Sequence, residues 1–252
     1  MEIFRKMSFA DSTGDAIPFY HEGKYHIFSL TSPPGTTVYP ERLRTTWSHS
    51  ISDDLVHWQE LPTALYPGEG DEPDASGVWT GSVIYGEGQY HAFYTGYCLT
   101  AEFQQTICHA TSDDGITWTK DIANPVITPM TELYEKLDWR DPYVFYNEED
   151  ENYWILISAR RLDMPVTRRG CIVLYRSKNL KDWTYYGPIY SPGHTNCPEC
   201  PEMYKMGGHW YLSYSRFSEF VNTIYRVSES PFGPWRKPKK DGIGGRRFYA
   251  AK

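Results

Sequence analysis

The sequence predicts an all-β fold, a five-bladed β-propeller, from three observations. An element that ends in Trp recurs four times along the 252 residues. A turn followed by an aromatic strand precedes each copy, and a third short strand precedes each turn. Helical periodicity is almost absent between them, while Gly and Pro cluster between the units. Four-stranded antiparallel units repeated in sequence are the mark of a propeller, in which each unit is one blade.

Taken in order, the first unit holds strands at 15–20 and 23–28 and the Trp element at 49–58, ending in Trp58. The second holds 80–85, 88–93 and 109–118, ending in Trp118; the third holds 141–146, 152–157 and 175–183, ending in Trp183. The fourth holds 199–205, 208–213 and 225–235, ending in Trp235, and a fifth opens at Arg246. The expected domain is therefore 1–252, four full blades and the start of a fifth. A ring short of most of a blade leaves open sheet edges. That predicts a truncated or split product, or a ring closed by another chain and hence an oligomer. The repeated Ser-x-Asp pairs read as turn caps, and the four Trp residues as blade core.

Composition narrows the function classes. Hydrophobic residues make up 40% and aromatic residues 16%, which suits a globular β protein. A net charge of −7 without Lys/Arg clusters argues against nucleic acid as partner. No apolar run is long enough for a membrane helix, and the N-terminus lacks the apolar core of a secretory signal. The five cysteines are odd in number and irregularly spaced, so no disulfide framework is expected. Cys197-Pro198-Glu199-Cys200 has no second Cys or His pair to complete a zinc site. These features predict a cytoplasmic protein with neither metal nor organic cofactor.

In a propeller the first strand of each blade lines the channel, so residues at the strand heads converge on one rim. The heads are Asp15, the Trp79-Thr80 region, Asp141 beside Arg140, Glu199 and Tyr249. Carboxylates from three blades facing one funnel repel one another, an arrangement that needs a reason. Glycoside hydrolysis supplies one, because it needs one carboxylic acid to protonate the leaving oxygen and one carboxylate to attack or to activate water. The expected partner is then an oligo- or polysaccharide. His49 reads as a core hydrogen-bonding residue, because His109 recurs at the same position of the next unit.

At these residues the chain resembles glycoside hydrolase family 32, the invertase, inulinase and levanase group. Trp47-Ser48-His49-Ser50-Ile51-Ser52-Asp53-Asp54-Leu55-Val56-His57-Trp58, followed by Leu61-Pro62-Thr63-Ala64-Leu65-Tyr66-Pro67, resembles one of its signature stretches. Arg140-Asp141-Pro142 resembles its RDP motif, Glu199-Cys200-Pro201-Glu202 its ECPD motif, and the segment 247–252 the opening of its fifth blade. The resemblance implies a furanosidase acting with retention. Asp15 would be the nucleophile, Glu199 the general acid/base and Asp141 the transition-state stabiliser. Arg140, Trp79, Trp47 and Tyr249 would bind substrate. Burial of Cys200 beside Glu199 would help to keep that acid protonated.

The family's W-M-N-D-P-N-G segment is replaced by Gly14-Asp15-Ala16-Ile17-Pro18-Phe19, with Asp15 one place out of register and Asp11 as fallback. The C-terminal β-sandwich usual in the family is not in the sequence. Two alternatives accompany this reading: an inverting enzyme of the family 43 type acting on arabinofuranosides or xylosides, and a sugar-binding or inactive propeller fragment.

Overall fold

The computed structural model describes residues 12–36, 38–218, 220–244 and 248–252. It divides into two compact units, Met1–Ile127 and Thr128–Lys252. Each unit consists of two four-stranded antiparallel sheets whose strands are neighbours in sequence.

In the first unit one sheet contains β1 (Thr13–His21), β2 (Lys24–Thr31), β3 (Thr46–Ser52) and β4 (Trp58–Leu65). The other contains β5 (Gly77–Gly86), β6 (Gln89–Tyr97), β7 (Gln105–Ser112) and β8 (Thr119–Lys120). In the second unit one sheet contains β9 (Tyr134–Asn147), β10 (Asn152–Arg161), β11 (Gly170–Ser177) and β12 (Thr184–Tyr190). The last contains β13 (Pro198–Met206), β14 (His209–Arg216), β15 (Asn222–Ser228) and β16 (Gly242–Ile243). These are the four units read from the sequence, each folded as a propeller blade.

The alternation of apolar and polar residues fixes which face of each strand is buried. In β2, His26 and Phe28 are buried, and in β3, Trp47 and His49. The first unit's core gathers Phe28, Trp47, Leu65, Val78, Tyr94 and Ala110, with Trp118 packed against it. The second unit's core gathers Trp154, Leu156, Leu174, Met203, Leu212 and Tyr214, with Trp235 packed against it. β10 and β11, the inner strands of their sheet, are buried almost throughout.

The Ser-x-Asp repeat is a turn device. The Oδ1 of Asp54 accepts the backbone N–H groups of Val56 and His57 at 2.9 and 2.8 Å. Asp114 does the same for Ile116 and Thr117, at 2.8 and 2.7 Å. Asn179 takes the role in the third blade for Lys181 and Asp182, at 3.0 and 2.9 Å. These donated bonds pull the Asp114 carboxyl down to about 2. The Trp that follows each turn is half-buried, and Trp58, Trp118 and Trp183 stand at or just before the start of the fourth strand.

His49 is a core residue, as its repeat position implied. Its Nε2 lies 3.0 Å from His26 Nδ1 with both rings buried. The second blade repeats the pair, His91 Nδ1 to His109 Nε2 at 2.9 Å, and adds Asp121 Oδ2 at 3.1 Å from His109 Nδ1. Burial, and then the neighbouring His26, pushes His49 down to about 3; burial, and then His21, lowers His26. A histidine held neutral in the fold takes up its proton first in the unfolded chain. Stability from the pair is therefore complete above the unfolded value near 6.5 and is lost as the pH falls below it. We expect a loss of about 1.4 kcal/mol per pH unit for each such group below that value. Urea unfolding at pH 7 and pH 5 should show a steeper loss in the wild type than in His49→Gln, and equal slopes would refute the assignment.

Arg246 and Arg247, which open the expected fifth blade, lie outside the described residues, as does Asp11. The residues after them rest on the fourth sheet. Thr223 N–H donates to the Phe248 carbonyl at 2.7 Å, Ala250 N–H to Ser215 Oγ at 2.8 Å and Ala251 N–H to Thr223 Oγ1 at 3.2 Å.

Candidate active site

Asp15, Trp79 and Glu199 stand within two residues of the starts of β1, β5 and β13, close to where the sequence placed them, and Asp141 lies seven residues past the start of β9. They lie inside the first strands, at a β-bulge that recurs at the same place in every blade. Between Thr13, opposite Thr31, and Ala16, opposite Ser29, β1 carries one more residue than β2, and Asp15 is in that bulge. β5 bulges between Val78 and Gly81, around Trp79 and Thr80. β9 bulges between Arg140 and Tyr143, around Asp141 and Pro142, and β13 between Glu199 and Glu202, around Cys200 and Pro201. A bulge bends its strand and turns one side chain away from the sheet's alternation, which is how a strand aims a functional group.

The conformations at the bulges are unusual. Asp141 has φ +57° and Cys200 φ +48°, a region that most side chains avoid. Gly81 closes the bulge of β5, and a Cβ there would meet the Phe93 carbonyl oxygen at 2.0 Å. Gly81→Ala should therefore destabilise the chain by about 1–3 kcal/mol, as overpacking does. Denaturant titration checks this.

In the second unit the two bulges bring three charged groups together. Arg140 Nη2 donates to Glu199 Oε1 at 2.6 Å, and Arg140 Nε lies 3.8 Å from Asp141 Oδ2. The same Asp141 Oδ2 accepts the Cys200 N–H at 2.9 Å, so the backbone of one bulge orients the acid of the other. Arg140 also donates to Asp138 Oδ1 at 2.5 Å and contacts Cys197 Sγ at 3.4 Å. Burial opposes its charge, but Cys197, Asp141, Glu199 and Asp138 together hold Arg140 protonated. The Cys197 thiol is pushed up, chiefly by burial. Glu202, just past the bulge of β13, is raised by burial to about 7, with Lys252 working against the rise.

In the first unit Thr80 Oγ1 donates to Asp15 Oδ2, joining the bulges of β1 and β5. Trp79 stacks on Tyr97 with ring centroids 4.1 Å apart, and its Nε1 donates to the Leu43 carbonyl at 3.0 Å. Trp47 Nε1 donates to the Trp79 carbonyl at 2.9 Å.

Residues 15–235 match the family model described as the N-terminal domain of glycosyl hydrolases family 32. The chain belongs to glycosyl hydrolase family 32. Among its relatives, a levanase of Bacillus subtilis is 33% identical over 74% of this chain and 26% of its own length. A sucrose-6-phosphate hydrolase of Zymomonas mobilis is 27% identical over 92% of this chain and 48% of its own. The crystal structure of an exo-inulinase from Aspergillus awamori aligns with a TM-score of 0.71 and 27% identity, over 93% of this chain and 51% of that one. The chain thus spans between a quarter and a half of the length of these family 32 proteins.

Of the residues singled out in the sequence, Arg140, Asp141 and Glu199 form one cluster in the second unit. Asp15 and Trp79 lie at adjoining bulges in the first. Tyr249 packs edge-on against Phe217 in the second unit, with ring centroids 6.4 Å apart. Trp47 requires a correction. It has no exposed surface, so it cannot wall a sugar site; it is a core residue that fixes the Trp79 backbone. Cys200 is buried, whereas Glu199 is partly open to solvent and paired with Arg140. Among the described residues no three His, Cys, Asp or Glu side chains are placed to hold a metal ion.

Two participants escaped the sequence reading. Thr80 was noted only as part of a strand head, since a lone Thr carries no chemical signal. Asp138 stands two residues before Arg140 on β9, and period-two alternation puts both on one face, a signal that was available.

Proposed function

We propose that this family 32 chain supplies the catalytic groups of a retaining glycoside hydrolase acting on β-fructofuranosyl bonds. Asp15 attacks the anomeric carbon and forms a fructosyl ester, while Glu199 gives its proton to the departing oxygen. Glu199, then ionised, takes a proton from water, and that water cleaves the ester with net retention. Asp141, held ionised beside Arg140, accepts hydrogen bonds from the sugar hydroxyls and stabilises the positive charge that develops on the ring. Thr80 orients Asp15 for attack, and Trp79 and Tyr249 would contact the sugar. No step calls for a metal or an organic cofactor.

The observation that carries this reading is the Arg140–Asp141–Glu199 cluster. The bulge of β9 holds Asp141, the bulge of β13 follows directly on Glu199, and the Cys200 N–H of the second fixes the carboxylate of the first. The relatives' names, levanase and sucrose-6-phosphate hydrolase, support a fructoside as the substrate. A reducing compartment suits five buried cysteines, none in a disulfide.

Release of fructose from sucrose, short inulin and levan tests the reading, with Glu199→Gln as control. We expect release by the wild type and a loss of about 10²–10⁴-fold in the variant. Arabinose release from 4-nitrophenyl α-L-arabinofuranoside alone would favour the inverting alternative. A folded protein that turned over none of these substrates would sink the fructosidase reading.

A further inference from the structure

Behind the Arg140–Glu199 pair runs a line of charges of alternating sign that the hydrolytic scheme does not use. Arg140 meets Asp138 at 2.5 Å, and Asp138 Oδ2 lies 3.3 Å from Arg160 Nε. Arg160 Nε donates to Glu135 Oε2 at 2.6 Å, and Glu135 in turn pairs with Arg169. The line thus reads Glu199, Arg140, Asp138, Arg160, Glu135, Arg169, crossing from β13 through β9 and β10 to the start of β11. Arg160 is 5% exposed, a position where an arginine is normally fully engaged. Its other donors reach backbone and side chains alike, Nη1 bonding Asn196 Oδ1 and Nη2 lying 3.3 Å from Glu135 Oε1. Nη1 donates to the Asn196 carbonyl at 2.7 Å and Nη2 to the Val166 carbonyl at 3.0 Å. Asn196 stands three residues before Glu199, so Arg160 grips the segment that feeds the acid into its bulge.

We propose that Asp138 and Arg160 are positioning residues that set both the place and the proton affinity of Glu199, acting through Arg140 and Asn196. The inference deepens the proposed function and rests on reading Glu199 as its acid/base. The physical reason is Coulomb's law in a partly buried site. Arg140 alone would draw Glu199 toward its carboxylate form and spoil it as an acid. Asp138, on the far side of the same guanidinium, offsets that pull, and Arg160 limits how far it does so. The titratable groups that bear on the Arg140–Glu199 pair are Asp141 and Asp138 on β9 and Cys197 on the segment before Glu199, while Glu202, three residues further along β13, feels Lys252. Ser215, opposite Glu199 on β14, does not titrate.

Removing links of opposite sign should move Glu199 in opposite directions, which a purely structural brace would not do. Asp138→Asn leaves Arg140 less compensated, so the Glu199 midpoint falls. Arg160→Gln leaves Asp138 less compensated, so it rises. Each shift should be roughly 0.5–1 pH unit, less than the one to three units of a direct contact. Arg160→Lys keeps the charge and should leave the midpoint near the wild-type value, with a lower kcat from the lost grip on Asn196.

The experiment is a ¹³C-carboxyl NMR titration of glutamate-labelled protein, with Glu199 assigned by Glu199→Gln, alongside the basic limb of the kcat/KM pH profile on sucrose. Opposite displacements in Asp138→Asn and Arg160→Gln support the proposal. An unmoved midpoint, or displacement of both in the same direction, overturns it. If Arg160→Gln fails to fold, the sign in Asp138→Asn decides. The NMR midpoint does not depend on turnover, so opposite shifts in a protein that hydrolyses nothing would uphold the relay and overturn the catalytic reading.

Discussion

Asp141→Asn should cut kcat on a fructoside by about 10²–10³-fold while leaving the melting temperature almost unchanged. The two halves of that expectation come from different features of the same residue. Asp141 stands at φ +57°, where Asn is among the few residues at ease. An Asn side-chain oxygen can also still accept the Cys200 N–H that Asp141 Oδ2 accepts at 2.9 Å. What the substitution removes is the negative charge beside Arg140, the one feature that a developing positive charge on the sugar ring would need. Asp141→Ala removes the acceptor as well and puts a strained residue in the bulge. It should cost about 1–3 kcal/mol of stability for the unsatisfied Cys200 N–H, in addition to the activity. Fructose release and thermal melting of both variants separate the roles. If Asp141→Asn melts as early as Asp141→Ala, or keeps wild-type kcat, Asp141 is a structural residue of the bulge and the cluster loses its stabiliser.

The blades were legible because they repeat. A Trp after a Ser-led polar turn, a Gly or Asn before an aromatic strand and period-two alternation agree in four places, and local signals that agree across a fold are what specify it. The bulges were not legible. An extra residue in a strand is a mismatch between two strands, and neither sequence shows it alone; it appears only once Arg140 is set opposite Ser158 and Tyr143 opposite Leu156. Without register, Asp15, Asp141 and Glu199 read as equivalent strand heads. Register shows them to be staggered, with Glu199 just before its bulge and Asp15 and Asp141 at successive places within theirs. Trp47 was misread for another reason. A motif tells which residues a family keeps, and a core residue that holds a site in place is kept as firmly as one that touches substrate.

Trp47→Ala is the change expected to damage the first unit most. The side chain has no exposed surface and packs among Phe28, Leu65, Val78 and Tyr94, so its removal should cost about 3–5 kcal/mol. Against a typical domain stability of about 5–15 kcal/mol that is a large share. The loss is not confined to volume, because Trp47 Nε1 donates to the carbonyl of Trp79 at 2.9 Å. Trp79 is the first residue inside the bulge of β5, and Thr80, the next, donates to Asp15. Trp47→Phe keeps an aromatic ring in the core but removes that bond together with part of the indole's volume. It should cost about 1–3 kcal/mol, the penalty for a buried acceptor left without its donor. Two readouts decide whether the bond also matters for the site. Urea unfolding gives the stability of both variants, and fructose release measured well below their midpoints gives the activity of the folded molecules. A fall in kcat in Trp47→Phe, with most of the chain still folded, would mean that the core sets the Asp15–Thr80 geometry through this one indole. An unchanged kcat would mean that the bulge of β5 holds its shape without it, and that Trp47 serves packing alone.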